Sequence, residues 1–106
     1  MIKNSTKIIL LLICLFKISN SYSQSCSAGF QFTTDTINQT LSFHDASVIS
    51  GHLISYSWDF GDGNTSSHQN PVHSYTHPGN YYVCLTVTAD TPHCSSAFCD
   101  TVVIAP

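Results

Sequence analysis

The side chains of this chain that could carry acid–base, metal or redox chemistry are six histidines, six aspartates and five cysteines among 106 residues. Serine, histidine and aspartate are the parts of a hydrolytic triad. No Gly-x-Ser-x-Gly elbow occurs, however, and a triad is a geometry rather than a count. His73 and His77 are four apart, but they flank turn residues instead of riding one helix face, so they need not converge on zinc or copper. Asp59, Asp62 and Asn64 offer hard oxygens suited to calcium. Their spacing is not that of an EF-hand loop, and the remaining ligands of the about six to eight that calcium takes would have to come from elsewhere. They are weak candidates, and no cofactor or catalytic group is expected. A small metal-dependent enzyme is the weakest functional reading. A filled sandwich of this size is also expected to have little room for a pocket.

Charge is distributed unevenly. Lys3, Lys7 and Lys17 are the only cations, and every acidic residue is an aspartate downstream of them. Residues 24–106 therefore hold six carboxylates and no Lys or Arg. Such a surface cannot neutralise phosphates, which argues against a nucleic-acid partner. It has no basic patch for anionic lipid and no lysine for Schiff-base chemistry. Residues 1–23 read as a secretory signal peptide: Lys3 and Lys7, an apolar run from Ile8 to Phe16, then Ser21-Tyr22-Ser23 before a cut at Gln24. The apolar run is too short to span a bilayer, and no longer one follows, so the mature chain has no membrane span. Cys26 lacks the apolar residue upstream that a lipoprotein cut needs. The expected location is secreted, extracellular or at the cell surface.

The elements that must position these residues are short strands. Phe30-Gln31-Phe32 and Leu41-Ser42-Phe43 alternate, as do Ile54, Tyr56, Trp58 and Phe60. Gly61-Asp62-Gly63-Asn64 is a tight turn in which two glycines permit positive φ. Val72–Tyr75 is short and extended, and Pro78-Gly79-Asn80 turns again. Tyr81, Val83, Leu85 and Val87 form the strongest alternation, and Phe98–Ile104 the last strand. No window keeps a 3.6-residue period. About seven antiparallel strands with regular turns make an all-β sandwich, with residues 24–106 as one domain after the leader.

Loss of the leader removes Cys14 and leaves Cys26, Cys84, Cys94 and Cys99. An even number in an exported chain predicts two disulfides, and spacing alone leaves three connectivities open. The last two strands form a hairpin centred at Thr91-Pro92, which sets Cys84 opposite Cys99. A Cys84–Cys99 bridge is therefore expected, leaving Cys26 to pin the amino terminus to Cys94.

Residues 41–104 resemble the PKD (polycystic kidney disease) domain family, in its exported bacterial type. The signature Trp58-Asp59-Phe60-Gly61-Asp62-Gly63 is followed by Pro71-x-His73-x-Tyr75, then by Pro78-Gly79-x-Tyr81-x-Val83-x-Leu85-x-Val87. The resemblance implies an immunoglobulin-like β-sandwich acting as an extracellular, non-catalytic module. It gives these residues structural roles: Trp58 fills the sandwich centre, Asp59 and Asp62 bond the turn's own backbone, His73 packs and hydrogen-bonds, and Tyr81 resembles a tyrosine corner. The four cysteines depart from many members.

Two functions then compete. One is a binding or adhesion module for protein or polysaccharide, using an outward face with Tyr82, Thr86, Thr88, Ser55, Ser57 and Asp59. The other is a structural spacer, or a fragment of a larger secreted or surface protein. Asp35-Thr36-Ile37 and Asp100-Thr101-Val102 also resemble short bacterial O-glycan attachment sites.

Overall fold

The computed structural model describes residues 25–91 and 93–106. The expected signal peptide and Pro92 of the hairpin turn lie outside the described residues. Nine strands follow in order: β1 (Cys26–Ser27), β2 (Phe30–Asp35), β3 (Thr40–Asp45), β4 (Val48–Ile49), β5 (His52–Asp59), β6 (Thr65–Ser66), β7 (Val72–Ser74), β8 (Gly79–Asp90) and β9 (Cys94–Ile104). All pairings are antiparallel, and no helix occurs among the described residues. A three-stranded sheet, β2-β3-β7, faces a four-stranded sheet, β6-β5-β8-β9, and β1-β4 is a two-stranded ribbon. This is the expected all-β sandwich. Against the expected count of about seven, the six strands read from the sequence are present as β2, β3, β5, β7, β8 and β9, and β1, β4 and β6 bring the total to nine; these three are two-residue ladders, too short to show a period.

The core follows the alternation in the sequence. Leu41 and Phe43 of β3 meet Trp58 of β5, Val83, Leu85 and Val87 of β8 and Val102 of β9, all essentially without solvent contact. Six tilted, stacked or edge-on ring contacts join Phe30, Phe32, Phe43, Trp58 and Phe60 at centroid separations of 5.0–6.2 Å. Such pairs contribute about 0.5–1.5 kcal/mol each beyond simple burial. Trp58 is fully buried, and its Nε1–H donates to the His68 carbonyl at 2.9 Å, so its one polar atom is satisfied.

Three sequence expectations shift. A bulge between Leu53 and Ser55 breaks the alternation read from Ile54, so Leu53, opposite Ala89, packs against the core. Gly79 and Asn80, read as turn, open β8 because they pair with Ile104 and Val103. β9 begins at Cys94 rather than Phe98. Its Ser95, Ser96 and Ala97 lack the strand-like bulk that a sequence reading seeks, but β8 supplies them a full ladder.

Cys84 and Cys99 are paired in register and bonded, with Cα atoms 4.0 Å apart. That short separation marks a pair without ladder hydrogen bonds between its members. Tyr82↔Thr101 is two residues along and belongs to the same class, so the Thr101 N–H points to the outer edge of β9. The Asp100 carboxylate accepts it at 2.9 Å. Towards its other end the β9 edge is met by the segment around β1, where Ala28 N–H donates to Ser96 Oγ and Cys26 is bonded to Cys94. The bonds are Cys84–Cys99, the pair that the hairpin register gave, and Cys26–Cys94, the pair that it left over.

Candidate functional site

The signature residues form one connected unit at one end of the sandwich. β5 delivers Trp58 inward and Asp59 outward, and the chain then turns through Gly61, Asp62 and Gly63. Phe60 N–H donates back to the Asn64 carbonyl at 3.1 Å and closes the turn. Both glycines have positive φ, +82° and +95°. Gly61 is needed for space as well, because a Cβ there would lie 2.6 Å from the Tyr82 carbonyl oxygen of β8. The turn can therefore lie against the neighbouring strand only with glycine at this position.

The carboxylates serve the turn itself. Asp59 Oδ1 accepts from Gly61 N–H at 3.0 Å. Asp62 Oδ1 accepts from Asn64 N–H at 3.1 Å, and Asp62 Oδ2 accepts from Asn64 Nδ2 at 3.1 Å. Asp62 Oδ2 also lies 2.8 Å from His73 Nε2. Burial pushes the Asp62 carboxyl upward, but the bonds from His73 and Asn64 outweigh it and hold the group below the usual carboxylate value. The candidate calcium ligands thus share one turn, yet both Asp62 oxygens and one Asp59 oxygen are engaged within it. Among the described residues no three His, Cys, Asp or Glu side chains gather as a metal site.

Behind the turn stands a ladder of rings. The His73 imidazole lies flat on Phe60, with centroids 4.2 Å apart and planes 6° apart. Tyr75 meets His73 edge-on at 4.7 Å and stacks on Tyr81 at 4.1 Å. The buried Tyr75 hydroxyl donates to the Phe60 carbonyl at 2.8 Å. Burial, then the nearby Asp62 carboxylate, pushes that phenol well above its ordinary value, so it remains a donor. The Tyr81 hydroxyl donates to the His77 carbonyl at 2.7 Å, tying β8 to the loop before it as a tyrosine corner would. Pro78 and Gly79 lead directly into this strand. His73 and His77 do not come together: His73 joins Asp62, while His77 Nδ1 lies 3.0 Å from Thr76 Oγ1.

Sequence reasoning missed three features here. The tie from Tyr75 to Phe60 and the tie from Trp58 to His68 are long-range contacts that no local pattern announces. The third is a cleft of about 370 Å³ at the end of the sandwich, where the β2–β3 loop, the β7–β8 loop and the end of β9 meet. This corrects the expectation of little room for a pocket. The core residues are buried, and the space is a partly open one between loops at the edge of that core.

A further surface is the outward face of the four-stranded sheet. It carries Ser55, Ser57 and Asp59 from β5, Tyr82, Cys84, Thr86 and Thr88 from β8, and Ala97, Thr101 and Val103 from β9. Tyr82 and Val103 are its large exposed groups, at 64% and 68% exposure.

The PKD domain family model matches residues 27–104. A collagenase of Bacillus cereus strain Q1, ColQ1, is 38% identical over 73 residues, which is 69% of this chain and 7% of that protein. The pre-pro-metalloprotease PrtV of Vibrio cholerae is 48% identical over 63 residues, 59% of this chain and 7% of PrtV. This chain therefore spans about 7% of the length of these relatives. The crystal structure of the PKD1 domain of Vibrio anguillarum Epp superposes with a TM-score of 0.70 at 37% identity, covering 77% of this chain and 95% of that domain. A structure reported for promiscuous carbohydrate-binding modules of the β-sandwich superfamily gives 0.68 at 30% identity, covering 80% of this chain and 36% of that one. Signature, sandwich and relatives agree: the chain belongs to the PKD domain family.

Proposed function

We propose that this chain is an exported, non-catalytic binding module. It acts outside the cell or at its surface and holds a polysaccharide or protein ligand against the outward face of the four-stranded sheet. The observation that carries this reading is that face: it is broad and lined by hydroxyls, has an exposed Tyr82, and bears no cation. An exposed aromatic beside hydroxyls fits the apolar face and the hydroxyl groups of a sugar, or a peptide backbone. The likeness to carbohydrate-binding modules and the occurrence of relatives in collagenases and a metalloprotease support the same reading. A structural role for the signature is supported by its hydrogen bonds, which engage both Asp62 oxygens, one Asp59 oxygen and the Trp58 Nε1–H. Residues 1–23 are a signal peptide, so the exported protein begins at Gln24, which amino-terminal sequencing checks.

Retention of the oxidised protein on insoluble cellulose, chitin and gelatin tests the binding role. Retention on at least one matrix, reduced about tenfold by Tyr82→Ala, is expected. Absence of retention on all three favours the second reading, a spacer within or beside a larger secreted or surface protein. The small fraction of each relative that this chain matches supports that reading.

A further inference from the structure

The cleft beyond the core borders both regions already described: Tyr75 and His77 are shared with the ring ladder, and Val103 with the outward face, while Thr34, Thr36 and Gln39 belong to neither. Its floor is apolar: Leu41 and Tyr75 are buried and Ile104 half-buried. Its rim carries Thr34, Thr36 and Gln39, all exposed, whose side chains hydrogen-bond to no other described residue. The wall that presents them is fixed. Asp35 Oδ1 accepts from the N–H groups of Ile37 and Asn38, and Oδ2 accepts from Asn38 Nδ2. Gln39 is held at φ +57°, a left-handed backbone uncommon for glutamine. An apolar floor under a few hydroxyl and amide groups free to bond a ligand in place of water is the usual construction of a small-molecule site, and about 370 Å³ falls within the usual range for one.

Charge selects among the ligands such a site could take. Residues 24–106 contain no Lys or Arg, and the rim carries the Asp35 carboxylate. Bonds from the Asn38 side chain and from the Asn38 and Ile37 backbone hold that carboxyl below its usual value, so it remains ionised. A phosphate, sulfate or uronate would meet the Asp35 carboxylate with no Lys or Arg to offset it, His77 being the one lining side chain that can become a cation by taking up a proton. A neutral sugar ring has the matching chemistry, with C–H groups for the floor and hydroxyls for the threonines and the amide.

We propose that this end cleft is a second binding site, which takes one or two residues of a neutral glycan. The proposal rests on the reading of the chain as a binding module and adds a seat that does not include Tyr82, although Val103 borders both.

Titration of the ¹⁵N-labelled, oxidised protein with cellotriose, N-acetylchitotriose and trigalacturonate tests it. A neutral trisaccharide should shift the amides of residues 34–41 and 103–105, and trigalacturonate should leave them unmoved. Gln39→Gly relieves the left-handed backbone while removing the amide, so it keeps the fold. Gln39→Gly combined with Thr36→Ala should weaken binding about tenfold, the effect of losing one or two hydrogen bonds. Tyr82→Ala should leave the titration unchanged. If Tyr82→Ala alone abolishes the shifts, the cleft assignment falls and the outward-face reading stands. Equal response to trigalacturonate overturns the charge argument. No response to any trisaccharide overturns the glycan site, whatever the insoluble matrices retain.

Discussion

The two ends of the sandwich are closed by different means. At the signature end, Phe60, His73, Tyr75 and Tyr81 form a ladder of rings, and Asp59, Asp62 and Asn64 knit the turn with hydrogen bonds. At the opposite end, β1 has only two residues, and Cys26 is bonded to Cys94 across 68 residues of chain. The contrast follows the supply of apolar side chains. Where rings are available, packing fixes the chain. Where Cys26 and Ser27 offer almost none, a covalent bond does so by restricting the unfolded state. A domain this small leaves little margin for losing either closure.

The comparison can be broken from the centre outward. Trp58→Ala removes the ring shared by both sheets and should cost about 3–5 kcal/mol. On the scale of a small domain's total stability that abolishes the cooperative thermal transition, which calorimetry or near-ultraviolet circular dichroism would show. Cys26→Ser with Cys94→Ser should cost about 2–4 kcal/mol. Hydrogen exchange should then rise around β1 and β4 while the amides of β5 and β8 stay protected. A uniform rise would mean that the two closures are not separable. Gly61→Ala places a Cβ against the Tyr82 carbonyl at positive φ and should cost about 2–3 kcal/mol, read from the urea midpoint. Tyr75→Phe leaves the Phe60 carbonyl without its buried donor and should cost about 1–2 kcal/mol.

The smallest effect is a pH dependence. The Asp62 carboxyl sits below its ordinary value of 3.8 in the folded protein. Its contribution is therefore fully present above about pH 4 and is lost as pH falls through the lower folded value. Urea midpoints measured from pH 6 to pH 2 should fall at the acid end, and the fall should be shallower in His73→Ala, which lacks one of the bonds holding Asp62 down. Equal slopes in the two proteins would remove His73 from that role.

Much of this molecule was legible before any coordinates. The signature turn is readable because its glycines and carboxylates act within a few residues of one another. The disulfide pairing is readable because Cys84 and Cys99 lie symmetrically about the hairpin. Three kinds of information were hidden. Two-residue ladders such as β1 and β6 carry no period. The bulge at Leu53/Ser55 changes which residue meets Ala89, and nothing in the local sequence marks it. The cleft depends on how three loops distant in sequence come together, and Thr34, Gln39 and Ile104 have no local pattern in common.

The margin of β9 has a consequence for copies held side by side. An eleven-residue outer strand with no lysine or proline along it would ordinarily invite another molecule to zip on and extend the sheet without limit. Here Asp100 occupies the donor that such a newcomer would need, and places a negative charge where two like margins would have to meet. Two copies brought margin to margin would therefore meet, at this point of the strand, an occupied donor and a like charge.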